Sequence, residues 1–117
     1  MPHSRSKFTF MTPPQHLDSL DPETFFAWQH KLEGIVIDVR SPLETAQGTL
    51  TKDTLEFNLY DPLFTSKIKT LDPTKHYFLY CATGNRSKAA KQLMSALGCT
   101  FVVDLQGGIV RARSEGF

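Results

Sequence analysis

The sequence predicts an α/β domain: a small, mainly parallel sheet flanked by helices on both faces. Three observations predict it. The runs 35–39, 76–80 and 100–104 are apolar, β-branched or aromatic, and each is bounded by turn residues. The segments around them carry helical rather than alternating spacing. Runs this apolar suit strands buried on both faces, which parallel sheets require, and parallel neighbours need helical crossovers.

The elements are taken in order along the 117 residues, a length that fits one domain. Residues 1–16, with Pro2, Pro13 and Pro14, read as a loose N-terminal segment with one short strand near Phe8–Met11; residues 17–117 read as the domain. Asp21-Pro22-Glu23-Thr24 is a helix start, with an Asp cap, a proline at the first helical position and an acid in the first turn. Phe25, Trp28 or Gln29, and Leu32 share one face of this helix, and Gly34 is expected to stop it. Ile35–Val39 is the first strong strand. Residues 42–48 hold one helical turn, 49–56 are polar and weakly patterned, Phe57–Leu59 read as a short strand, and Pro62–Lys69 as a short helix. Leu71–Lys75 is a turn, and His76–Tyr80 the second strong strand. Ser87–Leu97 is a helix with Ala90, Leu93, Met94 and Leu97 on its buried side and Gly98 after it. Thr100–Asp104 is the third strong strand. There is no internal repeat and no low-complexity segment.

Composition removes several function classes. Hydrophobic residues make up 40% and charged residues 21%, with a net charge of +1. A disordered chain is less hydrophobic and more charged, and a nucleic-acid binder carries a basic field. The cluster Arg111, Arg113 and Lys7 is too sparse for one. No apolar run approaches the length of a membrane span. Two cysteines, Cys81 and Cys99, cannot build a dense disulfide scaffold or a four-cysteine zinc site. The first ten residues lack an apolar core of the secretory kind. A reducing, cytoplasmic setting is the expectation, and it favours a reactive cysteine over a bridged one.

In parallel sheets ligands bind beyond the carboxyl ends of the strands. Directly after Tyr80 come Cys81-Ala82-Thr83-Gly84-Asn85-Arg86-Ser87 and then the helix. The amides at a helix start lack intrahelical partners and carry the positive end of the dipole. A curled loop adds its own amides as an anion-binding nest. A thiol held there is expected as thiolate. Gly84 permits the backbone angles a curled loop needs. Ser87 is expected as the N-cap. Arg86 either handles an anion or ties the loop to a carboxylate. Thr83 and Asn85 either donate to substrate or face water.

This loop resembles that of the rhodanese-like domain family, the single-domain sulfurtransferases. Its form C-x-x-G-x-R-S is matched by Cys81, Gly84, Arg86 and Ser87. A strand ending in D-x-R with a following acid and glycine is matched by Asp38, Arg40, Glu44 and Gly48. A late strand ending in a glycine pair is matched by Val103-Asp104-Leu105-Gln106-Gly107-Gly108-Ile109. The three blocks stand in family order and span about residues 20–117. The chain departs from the pattern at Thr45, where an aromatic is usual, in the run 48–53, and at Ala112, where a tryptophan is usual.

The resemblance implies a sulfurtransferase. Cys81 would take a sulfane sulfur from a donor such as thiosulfate or a persulfide, hold it as a persulfide, and pass it to a thiophilic acceptor, cyanide or a thiol. The anion-binding loop would be Ala82, Thr83, Gly84, Asn85, Arg86 and Ser87. No metal or organic cofactor is implied, and no nucleic-acid or membrane partner. Two other readings stand beside it. One is a non-catalytic binding or regulatory module that keeps the fold. The other is a cysteine phosphatase or arsenate reductase, whose loops carry five residues between Cys and Arg; here there are four, Ala82 to Asn85. The uncharged Ala82 and Thr83 predict weak use of thiosulfate and better use of a persulfide donor. Asp38 and Arg40 are read as structural, Cys99 as core and Trp28 as packing. His3, His16, His30 and His76 show no metal spacing.

Overall fold

Asp21 starts the first helix by accepting a hydrogen bond from the Thr24 amide at 2.8 Å, and Pro22 occupies its first turn (α1, Pro22–Lys31). The structure, a computed structural model, describes residues 12–117. The expected strand near Phe8–Met11 lies outside the described residues. The remaining elements are β1 (Ser19–Leu20), β2 (Ile35–Asp38), α2 (Pro42–Thr45), β3 (Leu55–Glu56), α3 (Phe64–Ile68), β4 (His76–Tyr80), α4 (Asn85–Ala96), β5 (Phe101–Leu105) and α5 (Gly108–Ser114). The strands form one sheet in the order β1-β5-β4-β2-β3, and every pairing is parallel. Among the described residues no helix is long and apolar enough to cross a membrane.

Strand alternation divides the core into two layers. One holds Ile37, Val39, Tyr77, Leu79 and Cys81 with Phe64 and Ile68 of α3 and Ala90 and Met94 of α4. The other holds Val36, Phe78, Tyr80, Val103 and Leu105 with Phe25 and Trp28 of α1 and Ile109 and Ala112 of α5. Helices therefore cover both faces. Ala112, at one departure from the family pattern, is fully buried in the second layer. Phe117 stacks on Phe26, which packs against that same layer, with ring centroids 5.1 Å apart.

Several local expectations are corrected. Gly34 does not stop α1. Leu32 caps the helix and Glu33 takes the left-handed conformation (φ 51°). Gly34 serves packing instead: a Cβ there would overlap the Phe78 ring. The strand expected at Phe57–Leu59 lies at Leu55–Glu56. Phe57 still donates to Asp38 O, but Leu59 donates to Val39 O, so the register slips and the ladder ends. The helix expected from Ser87 starts at Asn85. Its expected face is real at Ala90 and Met94, while Leu93 and Leu97 are only partly buried and Lys91 is buried beside them. The two-residue β1 was not foreseen; it pairs with β5 through Ser19 and Leu20.

Gly34→Ala should destabilise the protein by about 1–3 kcal/mol, because Phe78 is fully buried and has nowhere to retreat. The urea midpoint is expected to fall with an unchanged slope.

Candidate active site

Cys81 directly succeeds β4, and its side chain is 1% exposed. The chain then turns through Ala82 and Thr83 to Gly84, which takes φ 110° and caps α4 without a side-chain acceptor. Such a φ suits only glycine among ordinary residues. The Cys81 sulfur accepts from the Gly84 amide at 3.1 Å and the Ser87 amide at 3.3 Å. Ser87 is the third residue of the helix, and its amide is the one a capping side chain normally receives. The sulfur takes that role. This is why Ser87, expected as the cap, is free to do something else. Its hydroxyl is fully buried, 2.9 Å from Asp104 Oδ2, 3.2 Å from Gly84 O and 3.5 Å from the Cys81 sulfur.

The outer side of the loop is pinned from α5. Ile109 N donates to Cys81 O at 2.9 Å, and Val110 N to Ala82 O at 3.1 Å. The start of α5 spends its free amides on these carbonyls. That approach needs Gly108: it has φ 64°, and a Cβ there would run into the backbone of Cys81 and Ala82. The glycine pair thus belongs to the site through backbone contact.

Arg86 is tied to a carboxylate. Its two terminal nitrogens meet Glu44 Oε1 at 2.7 Å and Oε2 at 2.9 Å. Glu44 is held in turn by a capping box with Ser41 at the start of α2. The Arg86 hydrogen bonds, followed by those of Ser41, bring the Glu44 carboxyl down to about 2 against the opposing effect of burial. Glu44 is where the sequence reading fell short, although the Ser41-Pro42-Leu43-Glu44 pattern signals a capping box. Thr83 and Asn85 are exposed and Ala82 is half-buried.

Asp38 and Arg40 lie beneath this rim. Arg40 Nη2 meets Asp38 Oδ2 and Gly48 O, each at 2.8 Å, and the Arg40 amide donates to Asp38 Oδ1 at 2.9 Å. The Tyr80 hydroxyl accepts from Leu50 N at 2.9 Å. Burial pushes the Tyr80 phenol up to about 12. These contacts fix the segment 40–50 on which Glu44 sits. Thr45, another departure from the family pattern, is buried and bonds Pro42 O.

Cys99 precedes β5 at the opposite end of the sheet, and burial pushes its thiol up. At about 3.3 Å per strand residue it stands well beyond the ~7 Å that a disulfide with Cys81 permits. His16 bridges the Val102 amide and Ser95 Oγ. Among the described residues no three His, Cys, Asp or Glu side chains gather as metal ligands. A recess of about 470 Å³ lined by Gln29, Glu33, Ile35, Thr51, Lys52 and Asp53 opens at the start of β2, away from Cys81.

These features define an α/β domain with a cysteine loop at the carboxyl end of a central strand. The rhodanese-like domain model matches residues 21–115, and the chain belongs to that family. A rhodanese-related protein from Thermoplasma volcanium is 32% identical, with a TM-score of 0.74, covering 86% of this chain and 94% of that one. A rhodanese-like domain protein from Staphylococcus aureus shares the fold at 22% identity, with a TM-score of 0.69 and coverage of 85% and 94%. A possible tyrosine phosphatase from Rhodopseudomonas palustris is 25% identical, with a TM-score of 0.66 and coverage of 85% and 81%. No curated protein matches the chain.

The rim of the loop can be tested at two places. Gly108→Ala combines a left-handed φ with backbone overlap, so it should cost roughly 2–4 kcal/mol. Amide exchange at Ile109 and Val110 should accelerate more than elsewhere. The Glu44 carboxyl is lowered, so its pairing stabilises the fold above the ordinary carboxylate range and is lost as pH falls toward about 2. The difference in urea midpoint between wild type and Glu44→Gln should be constant at neutral pH, narrow below the carboxylate range and vanish near that limit.

Proposed function

We propose that this protein is a sulfurtransferase that carries a sulfane sulfur on Cys81. The observation that carries this reading is the sulfur at the start of α4, facing two backbone amides across a loop of four residues, Ala82 to Asn85, that leads to Arg86. Donors aimed at an atom that gains negative charge are the arrangement that oxyanion holes use for oxygen.

The chemistry balances without a cofactor. The Cys81 thiolate attacks the outer sulfur of the donor. A new S–S bond forms, the donor's S–S bond breaks, and its electron pair leaves with sulfite or with a donor thiolate. The persulfide's outer sulfur carries the negative charge within the loop. Cyanide or a thiolate then attacks that sulfur and restores the Cys81 thiolate.

A persulfide donor suits the loop better than thiosulfate. Its one cation, Arg86, is already engaged by Glu44 at both terminal nitrogens, and Ala82 and Thr83 add no charge. The phosphatase reading is disfavoured by the short loop, with four residues between Cys81 and Arg86 where those enzymes carry five. A non-catalytic binding module is the second reading, favoured by the near-complete burial of Cys81.

Intact mass after incubation with thiosulfate or a persulfide donor, and then with cyanide, tests this. Wild type and Cys99→Ser should each gain about 32 Da, one sulfur on a nucleophilic cysteine, and lose it to cyanide. Cys81→Ser should gain nothing. No gain from any donor on folded protein with a free Cys81 would establish the binding module instead. Equal loss in both single variants would make Cys99 a catalytic partner.

A further inference from the structure

One buried group of charges takes no part in the sulfur chemistry itself. Lys91 and Asp104 are 4% and 0% exposed. Lys91 Nζ donates to Asp104 Oδ1 at 2.8 Å and Leu17 O at 2.7 Å, and lies 3.2 Å from Ser19 Oγ and 3.3 Å from Asp18 O. Ser19 Oγ donates to the same Asp104 Oδ1 at 2.5 Å. The other oxygen, Oδ2, accepts from Ser87 Oγ, which neighbours the Cys81 sulfur. Ser87 and Lys91 are four residues apart on α4, so both reach Asp104 of β5 from one helix face. A continuous line runs Lys91–Asp104–Ser87–Cys81.

Ser87 has one hydroxyl hydrogen and three neighbours. Gly84 O and Asp104 Oδ2 accept only. The sulfur changes sides: a thiol donates to Ser87 Oγ, whereas a sulfur anion accepts from it. Asp104 is the nearer of the two oxygen acceptors. With the hydrogen on Asp104, the hydroxyl lone pairs face the sulfur and suit a thiol. An anionic sulfur needs the hydroxyl to turn. Asp104 tolerates that turn because Lys91 and Ser19 stay on Oδ1. A buried carboxylate without its cation would hold the hydrogen harder and place a bare negative charge near the sulfur.

We propose that Lys91 and Asp104 are positioning residues: as a neutralised pair they let the Ser87 hydroxyl move its hydrogen from Asp104 to the Cys81 sulfur when that sulfur becomes an anion. This rests on Cys81 acting as a nucleophile and names the side chains that adapt the cradle to its charge.

The test is the ultraviolet absorbance of the Cys81 thiolate as a function of pH, with the Cys81→Ser signal subtracted. It needs no sulfur donor, so it is separate from the transfer assay. The other ion pair at the loop, Arg86 with Glu44, is untouched in every variant. Ser87→Ala should raise the titration midpoint, because the anion loses a donor. Lys91→Met should raise it by about one pH unit, a tenfold loss of thiolate at a fixed pH below the midpoint. Asp104→Asn should lower it, since the amide leaves the hydroxyl hydrogen to the sulfur. In a Ser87→Ala background the Lys91→Met and Asp104→Asn shifts should shrink to less than half. Undiminished shifts in that background would overturn the proposal, leaving a bare charge effect. An unmoved midpoint in folded Asp104→Asn would also overturn it. If Lys91→Met does not fold, Asp104→Asn alone and with Ser87→Ala decides the matter.

Discussion

A sulfur atom caps the N-terminus of α4, and the rest of the site is arranged around that fact. A helix start leaves several amides without partners, and burial makes an orphaned amide costly. Here the Cys81 sulfur satisfies two of them, at Gly84 and Ser87. The requirement fixes the loop. Gly84 must take a left-handed conformation to turn the chain after it into α4, which carries the Ser87 amide back to the sulfur. The carbonyls of Cys81 and Ala82 then need donors on the other side, which α5 supplies, and α5 comes that close only because residue 108 has no side chain.

The sheet order explains how distant segments meet. The strands β5, β4 and β2 are neighbours, and all run the same way. Their carboxyl ends therefore deliver Asp104 with the glycine pair, Cys81 with its loop, and Asp38 with Arg40 to one edge. Support comes from both sides. Asp38, Arg40 and Tyr80 fix the segment carrying Glu44, which holds Arg86. Asp104 and Lys91 back the loop from α4 and β5.

The strong strands and the loop were legible in the sequence because their signals are local. A β-branched run such as Ile35–Val39 announces a buried strand, and Gly84 beside a helix start announces a curled loop. What stayed hidden depended on tertiary context. Ser87 has the chemistry of an N-cap, but the sulfur occupies that post. Lys91 looks like a surface residue of α4, and only its contacts with Asp104 and the Leu17 carbonyl explain its burial. Gly34 reads as a helix stop, yet a ring of β4 decides its identity. The slip that ends β3 comes from the turn of Arg40 back onto Asp38, which takes the Arg40 amide out of the ladder.

The spacing of the loop's partners has a kinetic side. Glu44 and Arg86 are 42 residues apart in the chain, and the α5 amides that hold the loop follow β5, which pairs with β4. Contacts between such distant residues close late, since the chain must first give up the entropy of the intervening loops. The cysteine exists in every conformer, but its surroundings exist only in the finished one. Conformers in which α5 has come away, with β4 and α4 still in place, would keep the thiol while losing the clamp on its loop. The shape of the loop around Cys81 is thereby coupled to the docking of α5, and loosening the end of the chain would release that loop before the sheet came apart.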